Sequence, residues 1–420
     1  MHDLKFIREN PDLVKTGAAA KRQPVDVDQA LALDERRREI IAEVEKLKAV
    51  RNKVSGEIAA KKKAGESADD VIAEMRKVGE DIAAMDEKLR TVEAELQDIL
   101  VWIPNLPHES VPIGDESHNE IVRTWGEPRA FDFTVLPHWE LGEKLDILDL
   151  KAAANVAGSG FFLLKGAGAR LQRALISYML DMHTADGFVE LNVPHLANEA
   201  TMYGTGQLPK MEDDMYRTEH DQMYLIPTAE VPITCMYRGQ VLSHEQLPMY
   251  FVGHTPCYRR EAGAAGKDTR GMIRVHQFDK VELVKIVRPE SSYDELESLV
   301  VQAEKVLQSL NLTYRVAKLA TGDLSFASTK TYDLELWAPG CDSWLEVSSI
   351  SIFEDFQARR MNCRFRDEDK KVKFPHTLNG SGVALPRLVI ALIENYQNDD
   401  GTITVPEPLR PYMQGAEVIG

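Results

Sequence analysis

Three stretches of this chain bring together residue types that could hold a charged, planar ligand. Along Met272 to Glu282, the residues Arg274, Phe278 and Glu282 stand four apart. A strand alternates its side chains, so this spacing predicts that all three point to one face. By the same parity Arg259 and Glu261 share a face of the preceding strand, and Thr228 and Glu230 share one within Pro227 to Pro232. One sheet face would then carry arginines, carboxylates and an aromatic ring. That mix is costly to bury in a core and makes sense if a charged, planar ligand lies on it. The alternative is a solvent-exposed face with scattered ion pairs. There is no GxxxxGKS/T loop and no GxGxxG opening a βαβ unit, so a nucleotide would be held in another way.

The elements that must position these residues begin at Asp132. Short strands are predicted at 188–196, 223–232, 248–260, 272–287, 332–338 and 344–353, separated by Gly/Pro turns and helices. Runs of strands without a βαβ rhythm predict an antiparallel sheet flanked by helices, an α+β domain. The N-terminal third reads differently. Ile40, Val44, Leu47, Val54 and Ile58 recur at three and four, with Arg51 breaking the seam. Met75, Val78, Ile82, Met85, Leu89, Val92, Leu96 and Ile99 form an unbroken heptad seam. Ala64-Gly65-Glu66-Ser67 supplies the reversal, with Ser67 as the expected N-cap. Two antiparallel helices follow, from about Asp26 to Lys63 and from Ser67 to Leu100, each roughly 50–57 Å long. A two-helix coiled-coil hairpin of that length is expected to project as an arm. The predicted organisation is an arm over 1–105, a Pro/Gly/His-rich linker over 106–131, and an α+β domain over 132–420.

The 420 residues carry a net charge of −17, which argues against a wholly basic nucleic-acid binder. The charge is uneven. Between Lys46 and Lys63 lie seven basic residues (Lys46, Lys48, Arg51, Lys53, Lys61, Lys62, Lys63) against Glu57 alone, whereas 66–100 holds eleven acids and four bases. A basic tip suits a large anionic partner gripped through its phosphates; a solvated charged face or a dimerising coiled coil would also account for it. No apolar run reaches the roughly 20 residues needed to cross a bilayer, and the N-terminus resembles no secretory or transit peptide. Cys235, Cys257, Cys341 and Cys363 lack metal-ligand spacing and read as reduced thiols of a cytoplasmic protein, not a metal site.

Pro256-Cys257-Tyr258-Arg259-Arg260-Glu261, its loop 262–271 and the return Met272 to Glu282 resemble motif 2 of the class II aminoacyl-tRNA synthetases. Thr377 to Arg387 looks like motif 3, a glycine loop opening a helix with an arginine in its early turns. The helix from Leu171 with the strand Phe188 to Pro194 is similar to motif 1, which forms the dimer interface in that class. The detailed resemblance is to the seryl-tRNA synthetases of the bacterial type, from Met1 to about Met413. Ile350-Ser351-Ile352 departs from it, where a Cys-Ser-Asn-like run is expected.

The resemblance implies ATP-dependent activation of L-serine to seryl-adenylate and transfer to tRNA(Ser), and also to tRNA(Sec), without reading the anticodon. It implies a homodimer; neither a membrane nor DNA is expected as a partner. Arg259 and Arg387 are the implied catalytic residues, since the first step concentrates charge on phosphates and needs fixed cations. The implied ATP site comprises Arg259, Arg260, Glu261, Arg274, Val275, Phe278, Glu346, Val347, Ser348, Ser349 and Arg387. Glu346 and Ser349 would hold Mg²⁺ through hard oxygens. Thr228, Ala229, Glu230, Arg259, Glu282, Asn379 and Ser381 would bind serine, and a site that hydrogen-bonds the hydroxyl rejects alanine. Lys48, Arg51, Lys53, Lys61, Lys62 and Lys63 on the arm, with Lys267 and Arg270 in the motif 2 loop, would touch tRNA. His276 shares the strand parity of Arg274 and is given no chemical role. The rivals are a synthetase paralogue loading an amino acid onto a carrier protein or small molecule, and a non-catalytic RNA-binding scaffold.

Overall fold

The computed structural model describes residues 1–263 and 270–420, and these form two compact units, Met1–Pro104 and Asn105–Gly420. In the first, two short helices precede α1 (Val27–Ala64) and α2 (Asp69–Leu100). Asp26 caps α1 by accepting from the Gln29 N–H at 2.9 Å. Gly65 closes it with φ +78°, a left-handed turn that glycine adopts without cost. The seam buries Ile40, Val44 and Val92 against Leu33, Met85 and Leu89. Ser67 is not the N-cap of α2. Ala68 holds that position, and Ser67 stands one residue outside, its Oγ accepting from the Asp69 N–H at 3.4 Å.

The second unit is built on eight strands: β1 (Glu120–Trp125), β2 (Val189–Glu190), β3 (Met249–Tyr258), β4 (Gln277–Val287), β5 (Tyr314–Lys318), β6 (Lys330–Ala338), β7 (Ser343–Glu354) and β8 (His376–Ala384). They pair in the order β1-β5-β6-β7-β8-β4-β3-β2. All pairs are antiparallel except β2 with β3 at the edge. On one face α3 (Ala167–Ala185), α4 (Ser292–Ser309) and α5 (Leu385–Asn395) share a continuous apolar core with the sheet, among them Leu175, Leu299, Leu388, Leu283 and Leu334. On the other face Val284 and Ile286 of β4 meet Ile233 and Ala358, from the short helices Glu230–Thr234 and Phe356–Arg360. The alternation of β4 therefore sends Phe278, Lys280 and Glu282 to that second face as well. Among the described residues no helix is long and apolar enough to cross a membrane.

Several expected elements differ. The 188–196 strand shrinks to Val189–Glu190 and a separate Leu196–Ala197, with Pro194, which has no N–H to offer a ladder, between them. The 223–232 strand is only Tyr224–Leu225; the chain then turns, and Glu230 opens a helix whose first turn tolerates Pro232. The 272–287 strand starts at Gln277. The stretch expected to be linker contributes β1, paired with β5. The expected glycine loop of motif 3 is strand β8, paired with β4 and β7. Its glycines serve close packing: a Cβ on Gly380 would stand 2.8 Å from Ile350 Cγ1. The unusual Ile350 and Ile352 are buried in the main core, and Ser351 Oγ meets Thr331 Oγ1 at 2.8 Å.

Candidate functional site

Glu282 lies mid-strand in β4, flanked by Gly253 of β3 and Ser381 of β8, and is fully buried. A buried carboxylate needs donors. Asn379 Nδ2 supplies one to Oε1 at 2.9 Å, and Lys280, two residues back on the same face, forms an ion pair with Oε2. Glu230 faces this group from the start of its helix. It is 6% exposed, and Gln357 Nε2 donates to its Oε1 at 2.7 Å. Thr228 is buried beside it and accepts the Glu230 N–H at 3.2 Å; Ala229 is buried between them. They meet through a turn entering a helix, not through strand parity. Burial first, and Glu282 second, push the Glu230 carboxyl up to about 7, against the pull of Gln357, Lys280 and Arg259.

Arg259 follows directly on β3, and its guanidinium carbon stands 5.1 Å from the centre of the Phe278 ring. The strand ends at Tyr258, so parity does not place Glu261. Its backbone is left-handed, with φ +51°, a conformation uncommon outside glycine. Across this turn Arg274 Nη1 pairs with Glu261 Oε2. Arg274 itself precedes β4. Arg259 and His276 bracket the turn through backbone: the Arg259 N–H donates to His276 O at 2.9 Å. Arg260 turns away, donating from Nη1 to Asp213 O at 3.1 Å. Val275 is a buried side chain and could offer a ligand only backbone.

A second cluster forms on β6, β7 and α5. Arg387, in the first turn of α5, donates from Nη1 to Glu346 O at 2.7 Å and from Nε to Ile273 O at 3.1 Å. Its Nη1 also lies 3.5 Å from Glu346 Oε2. Ser349 pairs in register with Asp333, whose carboxyl it hydrogen-bonds. Burial and neighbouring Glu346 push Asp333 well above the usual carboxylate range, and its Oδ1 has no hydrogen-bond partner. Two carboxylates and a hydroxyl, with one orphaned oxygen, are a hard-oxygen donor set that fits Mg²⁺. Val347 is buried, and Ser348 Oγ is spent on Ser381 O at 2.6 Å.

Lys280, Gln357 and Asp333 were absent from the expectations. A step of two along β4 would have found Lys280. Asp333 depends on the register of β6 with β7, and Gln357 on residues far away in the chain. The structure also assembles His138, Cys341 and Glu394, with ligand atoms within 4.8 Å of one another. These lone pairs are occupied. Met272 N donates to His138 Nε2 at 3.0 Å, and His138 N and Nδ1 meet Glu394 Oε1 at 2.8 and 3.0 Å. Gly340 N and Cys341 N donate to Oε2 at 2.9 and 3.1 Å. These bonds make the group a brace between the start of the helix His138–Lys144, the Gly340–Cys341 turn and α5.

On the arm, Arg51, Lys53, Lys61, Lys62 and Lys63 are exposed, and Lys48 stands 3.7 Å from Asp86 of α2. Arg270 is exposed, its guanidinium 4.8 Å from the Trp139 ring centre. Lys267 lies outside the described residues.

Residues 1–107 match the family model of the seryl-tRNA synthetase N-terminal domain. Residues 210–396 match that of the class II tRNA synthetase core domain (G, H, P, S and T). The serine–tRNA ligase of Thermodesulfovibrio yellowstonii is 53% identical over the whole of both chains. Among solved structures, the seryl-tRNA synthetase of Pyrococcus horikoshii complexed with ATP superposes with a TM-score of 0.93, at 36% identity over 100% of this chain and 99% of that one. The cytoplasmic serine–tRNA ligase of Naegleria fowleri in complex with AMP gives 0.88, at 30% identity over 99% and 98%.

Proposed function

The chain belongs to the seryl-tRNA synthetase family, and from that premise we propose that it activates L-serine with ATP and transfers the seryl group to tRNA(Ser). The observation that carries the reading is the buried Glu230–Glu282 pair, walled by Asn379 and Lys280 and neighboured by Arg259. Two carboxylates at one small site suit a ligand that brings an ammonium and a hydroxyl. Arg259 takes the α-phosphate, where a planar fork matches phosphate oxygens. Phe278 offers its ring to adenine, and Glu261, Arg274 and Arg387 hold the base and outer phosphates. Val275, Val347 and Ser348 contribute through backbone, and Arg260 supports the turn from outside. Thr228, Ala229 and Ser381 shape the serine pocket. Glu346 and Ser349, with Asp333 beside them, would hold Mg²⁺, which supplies charge neutralisation at the phosphates when bound.

Arm residues 1–105 grip the tRNA body through Lys48, Arg51, Lys53 and Lys61 to Lys63, and Arg270 and Lys267 meet its acceptor end. The family relationship supports a cytoplasmic homodimer. No observation favours the carrier-loading paralogue, because the relatives match through the arm as well as the core. Serine-dependent exchange of pyrophosphate into ATP, followed by charging of tRNA(Ser), is the test. Absence of exchange sinks the reading; exchange without charging reassigns the acceptor.

A further inference from the structure

We infer that Gln357 is a positioning residue for amino-acid selection: it fixes the Glu230 carboxylate in the one orientation that serves the pocket. The inference rests on the serine-binding reading of Glu230. Gln357 lies in the short helix Phe356–Arg360, is fully buried, and spends every group of its amide. Nε2 donates to Glu230 Oε1 at 2.7 Å and to Thr205 O at 3.1 Å. Oε1 accepts from Thr377 Oγ1 at 2.6 Å. A backbone carbonyl can only accept, so the Thr205 contact identifies the nitrogen and rules out the flipped amide. A rigid donor therefore meets one oxygen of Glu230, leaving Oε2 as the oxygen that this bond does not engage.

The same helix holds the surrounding wall. Arg360 donates from Nε to Tyr203 O at 2.8 Å and from Nη2 to Leu208 O at 2.6 Å. Gln357 thus joins three separately folded pieces: the segment 203–208, the helix opened by Glu230, and strand β8. Thr377, two residues before Asn379 on β8, sets the amide that sets Glu230. Geometry and charge act together here. Glu282 and Lys280 of β4 and Arg259 beyond β3 face Glu230, and Glu282 opposes its ionised form. Gln357 supplies a neutral donor that favours that form without adding a cation to compete with a substrate ammonium.

The test uses the full-length protein, L-serine, ATP and pyrophosphate exchange across pH. Gln357→Met keeps the volume and removes both donors. It raises the KM for serine by about ten- to a hundredfold, leaves the KM for ATP unchanged, and moves the acid limb of kcat/KM for serine to higher pH. Thr377→Val leaves Gln357 in place with its Thr205 contact but removes the hydroxyl that anchors Oε1, giving a smaller change of the same kind. A merely structural role lowers melting temperature and kcat, shifts both KM values alike and leaves the acid limb where it was; that result overturns the inference. So does an unchanged serine KM in either folded variant. Should Gln357→Met fail to fold, Thr377→Val decides. A wild-type chain that shows no serine-dependent exchange fails at the parent reading instead, which keeps the two failures apart.

Discussion

Arg274, just before β4, and Glu261, just after β3, form an ion pair, each side chain less than a third exposed. Both are proposed to hold ATP, and in this structure each is the other's partner. Removing either leaves a partly desolvated charge without its match. Arg274→Ala and Glu261→Gln should each raise the KM for ATP by about tenfold or more, with the serine KM little changed. In the double variant the effects should not add, since the pair is one unit. Pyrophosphate-exchange kinetics of the three variants check this, and simple additivity would count against the pair.

Glu230 sets a pH dependence with opposite signs for activity and stability. Its carboxyl is pushed up to about 7 by burial and by Glu282. In the proposed serine-binding role the ammonium needs the ionised form, so kcat/KM for serine should fall as pH drops through about 7. Stability runs the other way. A carboxyl whose folded value is raised favours folding below its unfolded value, near 4.5, and that contribution is lost as pH rises through about 7. Glu230→Gln should abolish the acid limb with most of the activity, yet raise the melting temperature at pH 8. Its cost in the wild type is on the order of 3 kcal/mol there.

His138 can be taken apart one bond at a time. A backbone N–H only donates, so Met272 N fixes His138 Nε2 as an acceptor and leaves the ring proton on Nδ1, toward Glu394. Asn can reproduce the Nδ1 donor, and Gln can place an acceptor where Nε2 stood. Met272 leads into Ile273 and Arg274, and Arg387 grips Ile273 O from α5. His138→Gln should therefore keep the KM for ATP near that of the wild type. His138→Asn should raise it severalfold while losing a comparable amount of thermal stability, on the order of 1–3 kcal/mol. Equal KM values in the two variants would leave His138 as packing alone.

The seam from Met75 to Ile99 was legible because one heptad pattern runs unbroken through it, and the buried side of α2 follows that pattern. The β4 face was legible for Phe278 and Glu282, where the pleat is regular. Parity failed at both ends. Glu261 leaves the strand through a left-handed backbone that no glycine announces, and Arg274 lies before the strand begins. Gly380 was misread for a different reason. Its glycine answers to Ile350 on the neighbouring strand, a clash visible only once β7 and β8 are paired. Gln357 and Glu230 stand 127 residues apart, and His138 and Glu394 256 apart. Periodicity carries no signal over that distance.

Lys61, Lys62 and Lys63 occupy the last turn of α1 and are exposed. Two causes could place them there. Cations at a helix C-terminus are favoured by its dipole, by about 0.3–1 kcal/mol each. Alternatively they neutralise tRNA phosphates. The two diverge under measurement. Replacing all three by Ala on dipole grounds lowers the melting temperature and leaves charging intact. On phosphate grounds the KM for tRNA(Ser) rises, and the slope of log KM against log salt flattens by about one for each lysine that touches a phosphate. Pyrophosphate exchange, which needs no tRNA, should be unaffected in either case and so reports that the core is sound. We expect the phosphate outcome, because Arg51 and Lys53 extend the exposed basic stretch well before the final turn, where the dipole falls off and gives them no support.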